Sequence, residues 1–61
     1  MKDLKTLIGK IAVTDTELQP LGTVIVDDEI YEAEAVEGYI EAGRGVRVVR
    51  VRRKRIFVKR V

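Results

Sequence analysis

The stretch Val46-Arg47-Val48-Val49-Arg50-Val51-Arg52-Arg53-Lys54-Arg55-Ile56-Phe57-Val58-Lys59 decides the fold. Apolar residues alternate with arginines at period two, the signature of a strand with one face on a core. Val46 and Val48 share one phase and Val49 and Val51 the other. A β-bulge between Val48 and Val49 reconciles the two phases, because one extra residue lets a bent strand keep its apolar side inward. Arg53-Lys54 then turns the chain, and Ile56 and Val58 point one way while Phe57 and Lys59 point the other. A long bulged strand feeding a tight hairpin is the expectation.

The same period continues upstream. Residues 7–13 place Gly9, Ile11 and Val13 on one face and Lys10 and Ala12 on the other. Residues 14–21 lose the alternation, and Gln19-Pro20-Leu21-Gly22 has the proline and glycine placement of a type I turn. Thr23 to Val26, the acidic turn Asp27-Asp28-Glu29, and Ile30 to Val36 form a hairpin, with Glu32 and Glu34 on the face opposite Tyr31, Ala33 and Ala35. Residues 37–44 carry Gly38 and Gly43 without helical spacing and form a loop. Ten valines, six isoleucines and four threonines make β-branched residues about a third of the chain. Five short strands within residues 7–61 are too few for a two-sheet sandwich but enough for a small barrel that removes exposed edges. The bulged fourth strand favours an OB-fold barrel with little or no helix over the alternative, an SH3-like barrel. Residues 1–6, polar and patternless, read as a flexible tail or linker remnant ahead of the domain at 7–61.

Composition removes most chemistry. Cysteine, histidine, serine, asparagine and tryptophan are absent, so disulfides, zinc sites built on nitrogen or sulfur, and Ser, Cys or His nucleophiles are excluded. The longest uncharged run, Leu18 to Val26, has nine residues, far short of the roughly 20 a spanning helix needs. Asp27-Asp28-Glu29 lacks the ligand spread of an EF-hand and reads as a solvated turn. Glu32 and Glu34 lie two apart on one strand, with no cleft expected around them to make a glycosidase pair. The chain is expected to be no enzyme, with no catalytic residue, no metal and no cofactor.

Charge is segregated along the chain. Residues 15–41 hold nine acidic and no basic residues, and residues 42–61 nine basic and no acidic ones. Arg50, Arg52, Arg53, Lys54 and Arg55, with Phe57 beside them, are the candidate partner-binding residues. They suit a protein partner, or phosphates of RNA, single-stranded DNA or lipid. The competing reading is a solvated ladder in which Glu32 and Glu34 face Arg55 and Lys59 across the sheet. Single-strand binding by an OB fold also needs aromatic platforms, and only Tyr31, Tyr39 and Phe57 exist here, two of them expected in the core. Charged residues at 36% with no asparagine or cysteine fit a thermophile source.

Certain elements, in order, resemble the C-terminal domain of the NfeD family. They are Gly9-Lys10, Thr14-Asp15, Pro20-x-Gly22, Tyr31-Glu32-Ala33 and Gly38-Tyr39-Ile40-x-x-Gly43-x-x-Val46. The resemblance runs from Leu7 to Val61 and implies a helix-free OB barrel in which Tyr31 and Ile40 plug the interior. It also implies a non-catalytic interaction domain of a membrane-anchored protein that works with a stomatin-like partner. On this resemblance the chain is one domain of a longer protein, held at the membrane by a segment upstream and facing the cytoplasm. Membrane helices and the Ser/Lys protease domain of the long forms are not in this chain, so that activity does not transfer. Two departures stand out. Thr16 and Glu17 lengthen the loop after strand one, and Asp27-Asp28 and Arg53-Lys54 replace the glycine-containing turns of the family, which points to turns wider than two residues.

Overall fold

The computed structural model describes residues 3–61. Strands β4 (Gly45–Arg52) and β5 (Arg55–Arg60) form the expected hairpin. Val48 faces Val58 and Arg50 faces Phe57, so Val49 is the extra residue of a β-bulge. Val46 and Val48 are fully buried before the bulge, and Val51 packs against the core after it. Val49 itself stays outside, 39% exposed, rather than joining Val51.

Strands β1 (Ile11–Thr14), β2 (Leu21–Val26) and β3 (Glu29–Ala35) complete a closed barrel in the order β1-β2-β3-β5-β4. All pairings are antiparallel except β3 with β5. This is the OB arrangement. β1 is shorter than the expected strand over residues 7–13, and the structure decides which of its two alternating faces is inward. It begins at Ile11, and its buried residues are Ala12 and Thr14, while Ile11 and Val13 are 52% and 46% exposed. Ala12 lies beside Val46 of β4 on the inner face, and both are buried. Thr14 is tolerated because its hydroxyl is fully used. It donates to the Glu41 carbonyl at 2.6 Å and accepts from the Arg44 backbone N–H at 2.9 Å.

Residues 21 and 22 belong to β2 rather than to a turn. A Cβ at Gly22 would collide with the Glu17 carbonyl and with the Leu18 and Thr16 side chains, so this glycine lets the loop of residues 15–20 fold tightly onto the sheet. Both hairpin turns hold two residues, contrary to the wider turns expected, since Val26 pairs with Glu29 and Arg52 with Arg55. All four turn residues take positive φ: Asp27 51°, Asp28 67°, Arg53 51° and Lys54 66°. That is the left-handed geometry that matches the twist of a two-residue hairpin, adopted here without glycine or asparagine.

Each end of the barrel is stoppered. Leu18 and Ile40 exchange backbone hydrogen bonds of 2.8 and 2.9 Å and are both fully buried. They clamp the loops after β1 and β3 across one end. Near the opposite end a 3-10 turn, Leu4–Leu7, is capped by the Asp3 carboxylate accepting from the Lys5 backbone N–H at 2.9 Å, and Leu7 is buried. Of the segment 1–6 expected as a tail, residues 1–2 lie outside the described residues, and Leu4–Thr6 fall within this turn. Tyr31, expected as a plug, is only half-buried, and its hydroxyl donates to Glu29 Oε1 at 2.8 Å. No helix among the described residues is long and apolar enough to cross a membrane.

Two substitutions test this packing. Gly22→Ala is expected to lower the unfolding free energy by about 1–3 kcal/mol in urea denaturation, through overpacking against the loop backbone. Thr14→Val, nearly isosteric, is expected to cost about 1–3 kcal/mol, because the part-buried hydrogen bonds to the Glu41 carbonyl and from the Arg44 N–H are lost. Unchanged midpoints would show that neither contact supports the barrel.

Candidate functional site

The outward face of the β4–β5 hairpin is set by the bulge. Once Val49 is counted as the extra residue, Arg47, Arg50 and Arg52 all fall on the outer face of β4, and Arg55, Phe57 and Lys59 on that of β5. Arg50 lies over the Phe57 ring, 5.0 Å from its centroid, a cation–π contact that holds the guanidinium against the β5 side of this face. Arg52, Arg53, Arg55 and Phe57 line a shallow depression of about 240 Å³. Lys54 shares the hairpin tip with Arg53. The six candidate residues therefore form one surface. Arg55 also borders a neighbouring depression of about 290 Å³ shared with Leu21, Thr23 and Glu32, which gives the basic surface an adjoining apolar side chain.

The acidic strands answer only part of this charge. Arg55 Nη1 lies 3.4 Å from Glu34 Oε1, as the ladder reading expected. Lys59 departs from it, because it lies beyond Val58, whose β3 partner Ala35 ends the β3–β5 register, and its partner on β4 is Arg47. Elsewhere Arg60 pairs with Glu37 at 3.6 Å and Arg44 with Glu41 at 2.7 Å. The Arg44 hydrogen bond and charge hold the Glu41 carboxyl below its ordinary range. Arg47, Arg50, Arg52, Arg53, Lys54 and Lys59 have no carboxylate partner among the described residues. Two cross-strand pairs, Arg47 with Lys59 and Arg52 with Arg55, even set like charges opposite one another. Such pairs are destabilising in an isolated sheet.

Arg47 and Lys59 were missing from the candidate set. The signal for them was present: the bulge that brings the valines into phase also moves Arg47 onto the face of Arg50 and Arg52. Two of the three acids of the turn are committed to protein contacts, with Asp27 Oδ2 2.6 Å from Lys10 Nζ and Glu29 accepting from Tyr31. Among the described residues, no group of three His, Cys, Asp or Glu could hold a metal ion. The interior is apolar apart from Thr14, whose hydroxyl is satisfied.

Comparison with known proteins agrees with this arrangement. The chain is 38% identical over 55 residues to membrane protein NfeD1b of Bacillus subtilis, a match that covers 90% of this chain and 13% of that protein. The chain thus spans about an eighth of that relative's length. Its fold is similar to the C-terminal domain of stomatin operon partner protein 1510-C from Pyrococcus horikoshii. There the TM-score is 0.89 at 34% identity, over 93% of this chain and 91% of that one. It also matches the fold of the soluble domain of a Corynebacterium glutamicum membrane protein implicated in regulation of membrane protease activity, with a TM-score of 0.87 at 21% identity, covering 97% of this chain and all of that one. The NfeD-like C-terminal, partner-binding domain matches residues 4–60, and the chain belongs to that family.

Proposed function

We propose that this barrel is the non-catalytic interaction domain of a membrane-anchored NfeD-like protein, that it works on the cytoplasmic side, and that its partner is stomatin-like. The observation that carries the reading is the outer face of the β4–β5 hairpin, where six basic side chains lack a carboxylate partner among the described residues. An acidic surface on the partner would relieve the Arg47–Lys59 and Arg52–Arg55 repulsions on docking, so affinity arises from charge that the free domain leaves unanswered. The stomatin-like identity is supported by the likeness to the stomatin operon partner protein and by the partner-binding character of the family.

The turn at Arg53-Lys54 supports a binding role independently. Bulky residues in left-handed geometry are uncommon, and asparagine followed by glycine fits such a turn with less strain. Retaining two cations there trades stability for surface charge.

The second reading, binding of RNA or single-stranded DNA, draws on the same unanswered cations. Only one aromatic, Phe57, stands on that face, and Arg50 already covers it. A single-strand groove uses successive aromatic platforms, so the protein partner is the better fit.

Titrating the domain with the purified soluble domain of a stomatin-like protein tests the assignment. Arg50→Glu combined with Arg52→Glu is expected to weaken binding by roughly tenfold or more while the domain stays folded, the lost Arg50–Phe57 contact being offset by relief of the Arg52–Arg55 repulsion. Submicromolar binding of single-stranded oligonucleotides at physiological salt, lost in the same variant, would replace the protein partner with nucleic acid. In a separate measurement, Arg53→Asn combined with Lys54→Gly is expected to raise unfolding free energy by about 1 kcal/mol while weakening partner binding. A destabilised variant would refute the strained-turn account.

A further inference from the structure

The outward residues of β2, β3, β5 and β4 fall into two parallel rows across one side of the barrel. Leu21, Glu34, Phe57 and Arg50 are successive register partners. Thr23 pairs with Glu32 and Arg55 with Arg52, and Glu32 and Arg55 each directly precede the paired residues Ala33 and Ile56, so these four make the adjoining row. Along both rows the surface passes from neutral on β2, through acidic on β3, to basic on β4.

Arg55 stands between the two depressions on this side and lines both. On the β4 side it joins Arg52, Arg53 and Phe57. On the β2 side the exposed Leu21 supplies an apolar wall, and the floor is backbone, because Gly22 has no side chain and the Ala33 methyl group is buried in the core. Arg55 donates once, from Nη1 to Glu34 Oε1 at 3.4 Å, a weak pair at the surface. Its other N–H groups have no partner among the described residues and are open to a carboxylate. Glu32 has no ion-pair partner among the described residues either, and its charge turns carboxylates away from the apolar depression. The two depressions thus select different side chains.

We infer that together they bind an extended acidic segment of a partner protein, with a carboxylate held by Arg52, Arg53 and Arg55 beside Phe57 and a bulky aliphatic side chain seated against Leu21 on the backbone of Gly22 and Ala33. Two strand spacings of about 4.8 Å separate β4 from β3, and residues two apart in an extended chain lie roughly 7 Å apart on one side, so the aliphatic residue follows or precedes the acid by about two or three positions. The barrel has no open edge, so the segment lies across the strands and is held by side chains. The site refines the proposed function and rests on that reading only for a protein partner that carries acidic groups.

The test titrates the 61-residue chain with a blocked synthetic decapeptide that carries the core Glu-Asp-x-Leu in a glycine-serine background, and with its twin in which serine replaces leucine. In amide NMR spectra at low salt the leucine peptide is expected to shift Leu21, Thr23, Arg52, Arg55 and Phe57, with a dissociation constant below about 1 mM. The serine peptide is expected to shift the arginine side alone and to bind about fivefold more weakly, the loss of one partly buried aliphatic side chain. Leu21→Ser, at an exposed position, is expected to make the two peptides bind alike. If that variant fails to fold, Arg52→Gln is expected to weaken both peptides by about fivefold while their ratio is kept. Equal affinity of the two peptides for the natural sequence, a preference that survives Leu21→Ser, or no shift at millimolar peptide would each overturn the inference. A stomatin-like domain that binds through Arg50 and Arg52 while the peptides give no shift removes this site alone. Peptides that bind as expected while that domain does not bind uphold the site and remove only the partner's identity.

Discussion

One extra residue, Val49, conditions the whole barrel. β4, the longest strand, pairs on both sides as every strand of the closed barrel does, with β1 through its first residues and with β5 along most of its length. A flat strand of that length would carry its partners apart. The bulge increases local twist and bends the strand, so the sheet returns on itself and β1 meets β4. It also places Val46 and Val48 inside before the bend and turns Val51 inward after it. The core, the closure and the outward position of the arginines all follow from the same insertion.

Inside and outside obey different rules in this domain. The interior is small and almost wholly aliphatic, stoppered by Leu18 and Ile40 at one end and by Leu7 near the other. A chain this short buries a modest fraction of its surface, so each of those side chains counts. The exterior, by contrast, keeps features that stability does not favour: like charges opposed across β4 and β5, cations in left-handed turn positions, and isoleucines facing water. Their concentration on the outer surface is what a recognition domain requires and a mere structural spacer does not.

The strands were legible because burial in a thin barrel imposes period two almost everywhere, and the phase slip at Val48-Val49 named the bulge directly. The faces of β1 were not. Ile11 and Val13 are the larger apolar residues, yet Ala12 and Thr14 point inward, and Thr14 finds both its hydrogen-bond partners in the loop of residues 41–44. Period alone does not say which side of an alternating strand is wet. The two-residue turns were missed for a related reason: local preference argues against arginine and lysine at positive φ, and the pairing of the strands overrides it. Leu7 and Leu18, the end stoppers, carry no periodic signal at all, since a plug is defined by what converges on it. At the candidate surface the run of residues 50–55 was plain, whereas Arg47 and Lys59 joined it only once the valine phase slip was applied to the arginines as well.

A cylinder whose backbone hydrogen bonds are spent on its own closure has none to offer a visitor. Recognition by adding a guest strand, which relies on main-chain contacts and tolerates varied sequences, is closed to such a domain. Its choice of companion is written in side chains alone, on positions that do not touch the interior. Specificity in this scaffold is therefore free to drift or be redesigned by surface substitution while the inner aliphatic set stays fixed, so lineages sharing one architecture need not share an associate.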